Sequence, residues 1–233
     1  MKKFLKILSI TAAILVGLGA LVMCIAAFIY KWNPNATPDK DLGTEYIYDD
    51  SVFGTGEINH IEIRSSYGDI EVREGDKWSL RMNNIYIPGV HVELDADRLD
   101  ITANSPSDIN IIGWLIGVFN DFDLKGRSKI ILTVPSGTEL DILYCDAGPG
   151  SVEANGIDSR LILCQAPVGK LLLTDCSASE RIAFDCIAGS IVTDNVYFGK
   201  LDLDMRFGIA DVDKHSAPAA GVNYNSKLIY RVN

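Results

Sequence analysis

Residues 139–213 lie in register as four lines: ELDILYCDAGPGSVEANGIDS (139–159), RLILCQAPVGKLLLTDCSAS (160–179), ERIAFDCIAGSIVTDNVYFG (180–199) and KLDLDMRFGIADVD (200–213). Each line holds an alternating run, a few turn residues, a glycine and a second apolar run. Residues two apart in a strand share a face, so the alternation turns one side of each strand inward. The glycines are Gly150, Gly169, Gly189 and Gly208, at spacings of 19, 20 and 19. A fixed period of about 20 residues with strands inside each unit reads as a β-solenoid. One unit cannot bury its apolar face alone, whereas stacked units bury a continuous core. The four glycines read as structural coil positions, where the chain turns sharply and φ > 0 costs glycine little.

The same alternation extends toward the N-terminus. Ile61–Arg64, a turn at Ser65–Gly68 and Asp69–Val72 read as strand, turn, strand; Leu99–Thr102 and Ile130–Val134 repeat the pattern. Residues 46–233 are therefore expected to form an all-β extracytoplasmic solenoid domain. One segment breaks the period: Ile109–Phe122, INIIGWLIGVFNDF, too short to span a membrane. As an insert or cap (109–122) it would cover an open solenoid end. As a contact patch it would present Ile112, Trp114, Leu115, Ile116 and Phe119 to a partner or to the membrane.

Residues 7–30 contain no charged side chain. As a helix this stretch is about 36 Å long, enough to cross a bilayer core of about 30 Å. The stub at 1–6 carries Lys2, Lys3 and Lys6, which places the N-terminus in the cytoplasm and the main domain outside. A cleaved signal would have a shorter apolar core. A lipoprotein reading on Cys24 would place Met23 before it and apolar sequence after it. The anchor is the expectation. Residues 31–45, with Pro34, Pro38 and Gly43, read as a linker.

The chain has 21 basic and 31 acidic residues. Four of the bases and none of the acids lie in 1–31, so residues 32–233 carry 17 against 31, a net charge of −14. Such a domain is not built for nucleic acid, whose binding is driven by phosphate neutralisation. Cys145, Cys164, Cys176 and Cys186 fall near the coil register, which points to a buried thiol column or to a disulfide between coils.

Catalytic motifs do not emerge. His60, His91 and His215 show no metal-site spacing, and there is no GxSxG, SxxK, GxGxxG, Walker A or CxxC. No cofactor is expected, and no catalytic or metal-binding residue is assigned. The pairs Asp95/Asp97, Asp121/Asp123, Asp202/Asp204 and Asp211/Asp213 read as solvated strand faces, with a weak Ca²⁺ site as the sharper alternative.

The segments Ile61–Val72, Ile131–Gly137, Leu140–Val152, Leu161–Leu173, Ile182–Val192 and Leu201–Val212 resemble the adhesin-like domain of unknown function found in single-pass bacterial envelope proteins of Gram-positive type. That resemblance implies a right-handed parallel β-helix and no known catalytic residue. The expectation is a non-catalytic, membrane-anchored envelope module binding an unknown envelope protein or glycan. The alternatives are an accessory sensor of an envelope-stress system acting through the membrane helix, and a carbohydrate-active β-helix enzyme. An open solenoid end also leaves room for a homo-oligomer.

Overall fold

Short runs of β-branched and aliphatic residues, punctuated by Gly, Asp and Asn, give strands and no helix among the described residues. The computed structural model describes residues 42–43, 46–48, 53–54, 57–66, 68–86, 89–104, 128–212, 222–224 and 229–232. The stretch read as a membrane helix (7–30) and the insert at 109–122 lie outside these. Among the described residues no helix is long and apolar enough to cross a membrane.

The strands are β1 (Leu42–Gly43), β2 (Tyr46–Tyr48), β3 (His60–Ser65), β4 (Asp69–Gly75), β5 (Ser79–Asn83), β6 (Ile85–Tyr86), β7 (Val90–Asp95), β8 (Arg98–Ala103) and β9 (Lys129–Pro135). There follow β10 (Glu139–Asp146), β11 (Val152–Asn155), β12 (Asp158–Gln165), β13 (Val168–Thr174), β14 (Ser177–Asp194), β15 (Tyr197–Phe198), β16 (Leu201–Val212), β17 (Val222–Tyr224) and β18 (Ile229–Val232).

Successive coils stack as parallel strands in two faces. The first face runs β8–β3–β10–β12–β14–β16–β17. The second runs β9–β4–β11–β13–β14–β16–β18. β14 and β16 are long enough to pass through both. Inward residues alternate with outward ones, so Ile61, Ile63, Leu143, Ile162, Ile182 and Leu201 from the first face and Ile70, Val72, Val152, Leu171 and Ile191 from the second share one core. The architecture is all-β and solenoid-like, as the period implies.

Three features were not foreseen. Spatial order departs from chain order: β3 and β4 sit between the strands at 98–135 and those at 139–155. Antiparallel strands also join the parallel stack at this end, β7 along β8, and β5 along β9 with β2 beyond it. They pair edges that would otherwise stay open. Finally, β1, inside the stretch read as linker, pairs with β6.

The glycine spacings have a direct cause. Ser159 pairs with Ala178 but Leu161 pairs with Arg181, so the coil of β14 carries one extra residue at this point. That bulge turns 19 into 20, and the next coil returns to 19 without it. The coil glycines are needed for a reason other than the expected positive φ. Positive φ is found at other glycines, such as Gly137, Gly148 and Gly156, and not at Gly150, Gly169, Gly189 or Gly208. Instead, a Cβ at Gly169 would overlap the carbonyl oxygen of Gly150, one at Gly189 that of Gly169, and one at Gly208 that of Gly189. Gly150 stands in the same way against Gly68, which extends the ladder to five. The turn is a close backbone approach repeated coil on coil.

The cysteines do not form one column. Cys145 and Cys164 are register partners, continued by Ile63 on one side and Phe184 on the other. Cys186 pairs with Met205, one step further along the strands, in line with Ala147 and Ala166. Cys176 lies at the opposite corner, level with Ile157 and Val196. All four are buried and free. Cys145, Cys176 and Cys186 each fill a core position that an aliphatic residue fills in a neighbouring coil, and Cys164 lies between Cys145 and Phe184.

Candidate functional site

The outward residues of the first face form rows across the coils. One row reads Asp100, Glu62, Tyr144, Leu163, Ala183, Asp202. The next, nearer the glycine corner, reads Thr102, Arg64, Asp146, Gln165, Asp185, Asp204. The two ends of these rows differ in chemistry.

At the β8–β3 end the charges are matched. Glu62 is 6% exposed and is held by both Arg64 and Arg98. Arg98 also reaches Asp100 at 3.0 Å. A buried carboxylate is tolerated only with such partners. Arg64 lies over the Tyr144 ring, 5.8 Å from its centroid. The Tyr144 hydroxyl donates to Gln165 Oε1 at 3.0 Å. Burial pushes the Tyr144 phenol up and the Asp146 carboxylate adds to this, with Arg64 opposing. Tyr144 is therefore a neutral ring fixed at both its face and its hydroxyl.

Beyond Tyr144 the surface opens into a groove of about 450 Å³. Leu163 and Ala183 are its outward-facing floor, and Gln165, Asp185 and Asp204 line the side nearer the glycine corner. On the other side Arg181 reaches Asp202 at 2.6 Å, and Lys200 reaches the same carboxylate at 2.9 Å. Asp185 and Asp204 are exposed register partners on neighbouring strands. The arrangement offers an apolar floor, a fixed aromatic edge, one amide and two exposed carboxylates. It can accept hydrogen bonds and attract positive charge. Among the described residues no three His, Cys, Asp or Glu groups converge as metal ligands.

Of the residues singled out from sequence, Ile112, Trp114, Leu115, Ile116 and Phe119 lie outside the described residues. Gly150, Gly169, Gly189 and Gly208 line up as a ladder, with a packing role. Asp202 and Asp204 do point outward while Leu201 and Leu203 are buried. His91 is an exposed partner of Glu93 at 3.1 Å. The groove residues Tyr144, Leu163, Gln165, Ala183 and Asp185 were missed. Their signal was present as breaks in the alternation: Leu161 and Leu163 are apolar at outward positions of the run LILC.

The family model described as Toastrack DUF4097 matches residues 58–226. No curated protein matches the sequence. Among solved structures, a candidate cell adhesion protein from Clostridium sporogenes is similar at 8% identity and TM-score 0.45, covering 78% of this chain and 99% of that one. A candidate adhesin from Bacteroides fragilis is similar at 13% identity and TM-score 0.36, covering 81% and 94%. Another from Parabacteroides distasonis gives 10% identity and TM-score 0.30, covering 81% and 92%.

Proposed function

This chain belongs to the Toastrack DUF4097 family, and on that premise we propose that it is a membrane-anchored, extracytoplasmic binding module that holds an envelope glycan in its outer-face groove without transforming it. The observation that supports this reading is the groove itself. The apolar faces of sugar rings suit a floor of Leu163 and Ala183 beside a fixed Tyr144. Their hydroxyls suit the amide of Gln165 and the carboxylates of Asp185 and Asp204. The net charge of −14 beyond residue 31 favours a glycan of little negative charge over nucleic acid or a polyanion. Residues 7–30 supply the anchor, with the stub at 1–6 in the cytoplasm, and the coils wind right-handed, as parallel crossovers do.

The placement of the acids supports the non-catalytic part of the reading. Glycoside hydrolysis uses two carboxylates that flank the scissile bond. Asp185 and Asp204 stand side by side in one row and meet a ligand from the same side. Asp202, in the neighbouring row, is held by Arg181 and Lys200. The test is co-sedimentation of the detergent-solubilised full chain with purified peptidoglycan and with an uncharged insoluble polysaccharide. Wild type is expected to bind at least one of them, and Ala183→Arg, which fills the groove from an outward position, to bind about tenfold less. Equal retention of the two proteins, or no retention of wild type, would sink the groove reading. Release of reducing ends on long incubation would sink the non-catalytic one.

A further inference from the structure

The four buried cysteines are not equivalent. Cys145 and Cys164 are direct register partners on the parallel strands β10 and β12. Neighbouring strands lie about 4.8 Å apart, inside the Cα separation of about 4.4–6.8 Å that a disulfide takes. Both side chains point inward, with relative exposures of 0% and 2%, so their Cβ atoms face the same way. Cys164 beside it, together with burial, pushes the Cys145 thiol well up from its ordinary value. Cys176 lies at the opposite corner, level with Ile157 and Val196, and Cys186 pairs with Met205 two residues further along the strand than the partner of Cys164, so neither has a cysteine as register partner.

We propose that Cys145 and Cys164 are an oxidation site. As the chain folds in contact with a disulfide oxidant, they join into a bond that ties the coil of β10 to the coil of β12. The inference rests on the reading that this domain is exported, because disulfides persist in oxidising compartments. The two thiols lose two protons and two electrons. The oxidant, a thiol oxidoreductase disulfide or glutathione disulfide, has its S–S bond broken and leaves as two thiols. A mixed disulfide with one cysteine forms first, and the other cysteine displaces it.

The order of events follows from burial. The attacking species is the thiolate. In the folded coil the neighbouring Cys164 and then burial hold Cys145 well on the thiol side. The bond therefore forms while the coils are still open, and oxidation of the folded, reduced protein is slow.

Trypsin separates the four cysteines, since Lys129, Arg160, Lys170, Arg181 and Lys200 bracket them one by one. Full-length chain is isolated from cells after acid quenching, alkylated under denaturing conditions, digested and mapped by mass without reduction. In parallel the chain is reduced, denatured and refolded in detergent with a glutathione redox buffer. The expected product in both arms is peptide 130–160 joined to peptide 161–170, with Cys176 and Cys186 alkylated. Oxidised protein should melt on the order of 5–10 °C above reduced protein, and folded reduced protein should oxidise far more slowly than refolding protein. Alkylation of all four of Cys145, Cys164, Cys176 and Cys186 after refolding, or any pairing that includes Cys176 or Cys186, overturns the proposal. The bond after refolding but not in cells upholds the pairing and overturns the export reading. Cys145→Ala and Cys164→Ala should each leave every remaining domain thiol free; should either variant fail to fold, the wild-type map decides alone.

Discussion

The coils of β10 to β14 bend at two corners, and the corners work by opposite means. At the first, between the two faces, Gly150, Gly169 and Gly189 have ordinary backbone angles and no room for a side chain. At the second, after the second-face strand, the equivalent residues are Gly156, Asp175 and Asn195, with φ of 68°, 51° and 53°. Here the demand is on the backbone angle. The left-handed region costs a non-glycine residue roughly 1 kcal/mol or more, and Asp and Asn enter it more readily than most. Asn195 Nδ2 also donates to Asp175 Oδ1 at 2.5 Å, so the side chains bond along the stack. A corner limited by space admits one residue type. A corner limited by angle admits several.

The strongest test of this contrast is Gly169→Ala. The new Cβ meets the Gly150 carbonyl oxygen and the Ala166 Cβ. The first is backbone in the neighbouring coil and cannot rotate away, so the two coils must part. We expect a loss of about 3 kcal/mol or more, the upper range of overpacking, read as a fall in the urea midpoint of the full chain in detergent. Gly137→Ala is the control. Gly137 has φ +79° and nothing within 4 Å of its Cβ position. Its loss should stay near 1–2 kcal/mol, from strain alone. Equal losses at the two sites would break the distinction between space and angle.

The second corner can be sharpened through pH. Cys176 follows Asp175 directly and is buried level with Ile157 and Val196. Burial pushes its thiol up to about 11. The folded state thus keeps a proton that the unfolded chain releases near pH 9. Stability from this group is whole below about pH 9 and is lost as pH rises toward 11. Between about pH 8 and about pH 10.5 wild type should lose about 2 kcal/mol more than Cys176→Val. Val is the residue the next coil already places there, so its stability at pH 7 should stay within about 1 kcal/mol of wild type. Parallel pH curves for the two proteins would show that the thiol is not the cause.

The contrast also explains what could be read in advance. The space-limited corner is legible because its single solution repeats at 19, 20 and 19 residues. Its fifth member, Gly68, escaped notice because the chain lays β8 and β9 on the far side of β3 and β4 before it returns to β10, which separates Gly68 from Gly150 by 82 residues. The angle-limited corner left no period, since Gly, Asp and Asn share no letter. Cys145 and Cys164 sit five residues before their glycines and Cys186 three. That offset of two keeps the side chain inward but moves it into the next column, which is why one shared column was the wrong picture. The groove was hidden for a related reason. Its residues are outward positions in four different coils, and only their register brings Tyr144, Leu163, Ala183 and Asp202 side by side.

The smallest expected effect is also the most selective. Asn195→Gly removes the left-handed penalty of roughly 1 kcal/mol, and it loses one exposed hydrogen bond to Asp175 and some unfolded-state restraint, each of similar size. One gain of roughly 1 kcal/mol stands against two losses of similar size, so the urea midpoint should fall by about 1 kcal/mol in equivalent stability. Asn195→Val at the same position should cost about 2 kcal/mol, because a β-branched residue has no comfortable place at φ 53°. The pair separates the two explanations of this corner. If angle governs, Gly falls less than Val. If the ladder of side-chain bonds governs, both variants lose the Asp175 partner and fall together. A Gly variant as damaged as the Val variant would mean that the hydrogen bond between neighbouring coils, and not the backbone, holds the second corner.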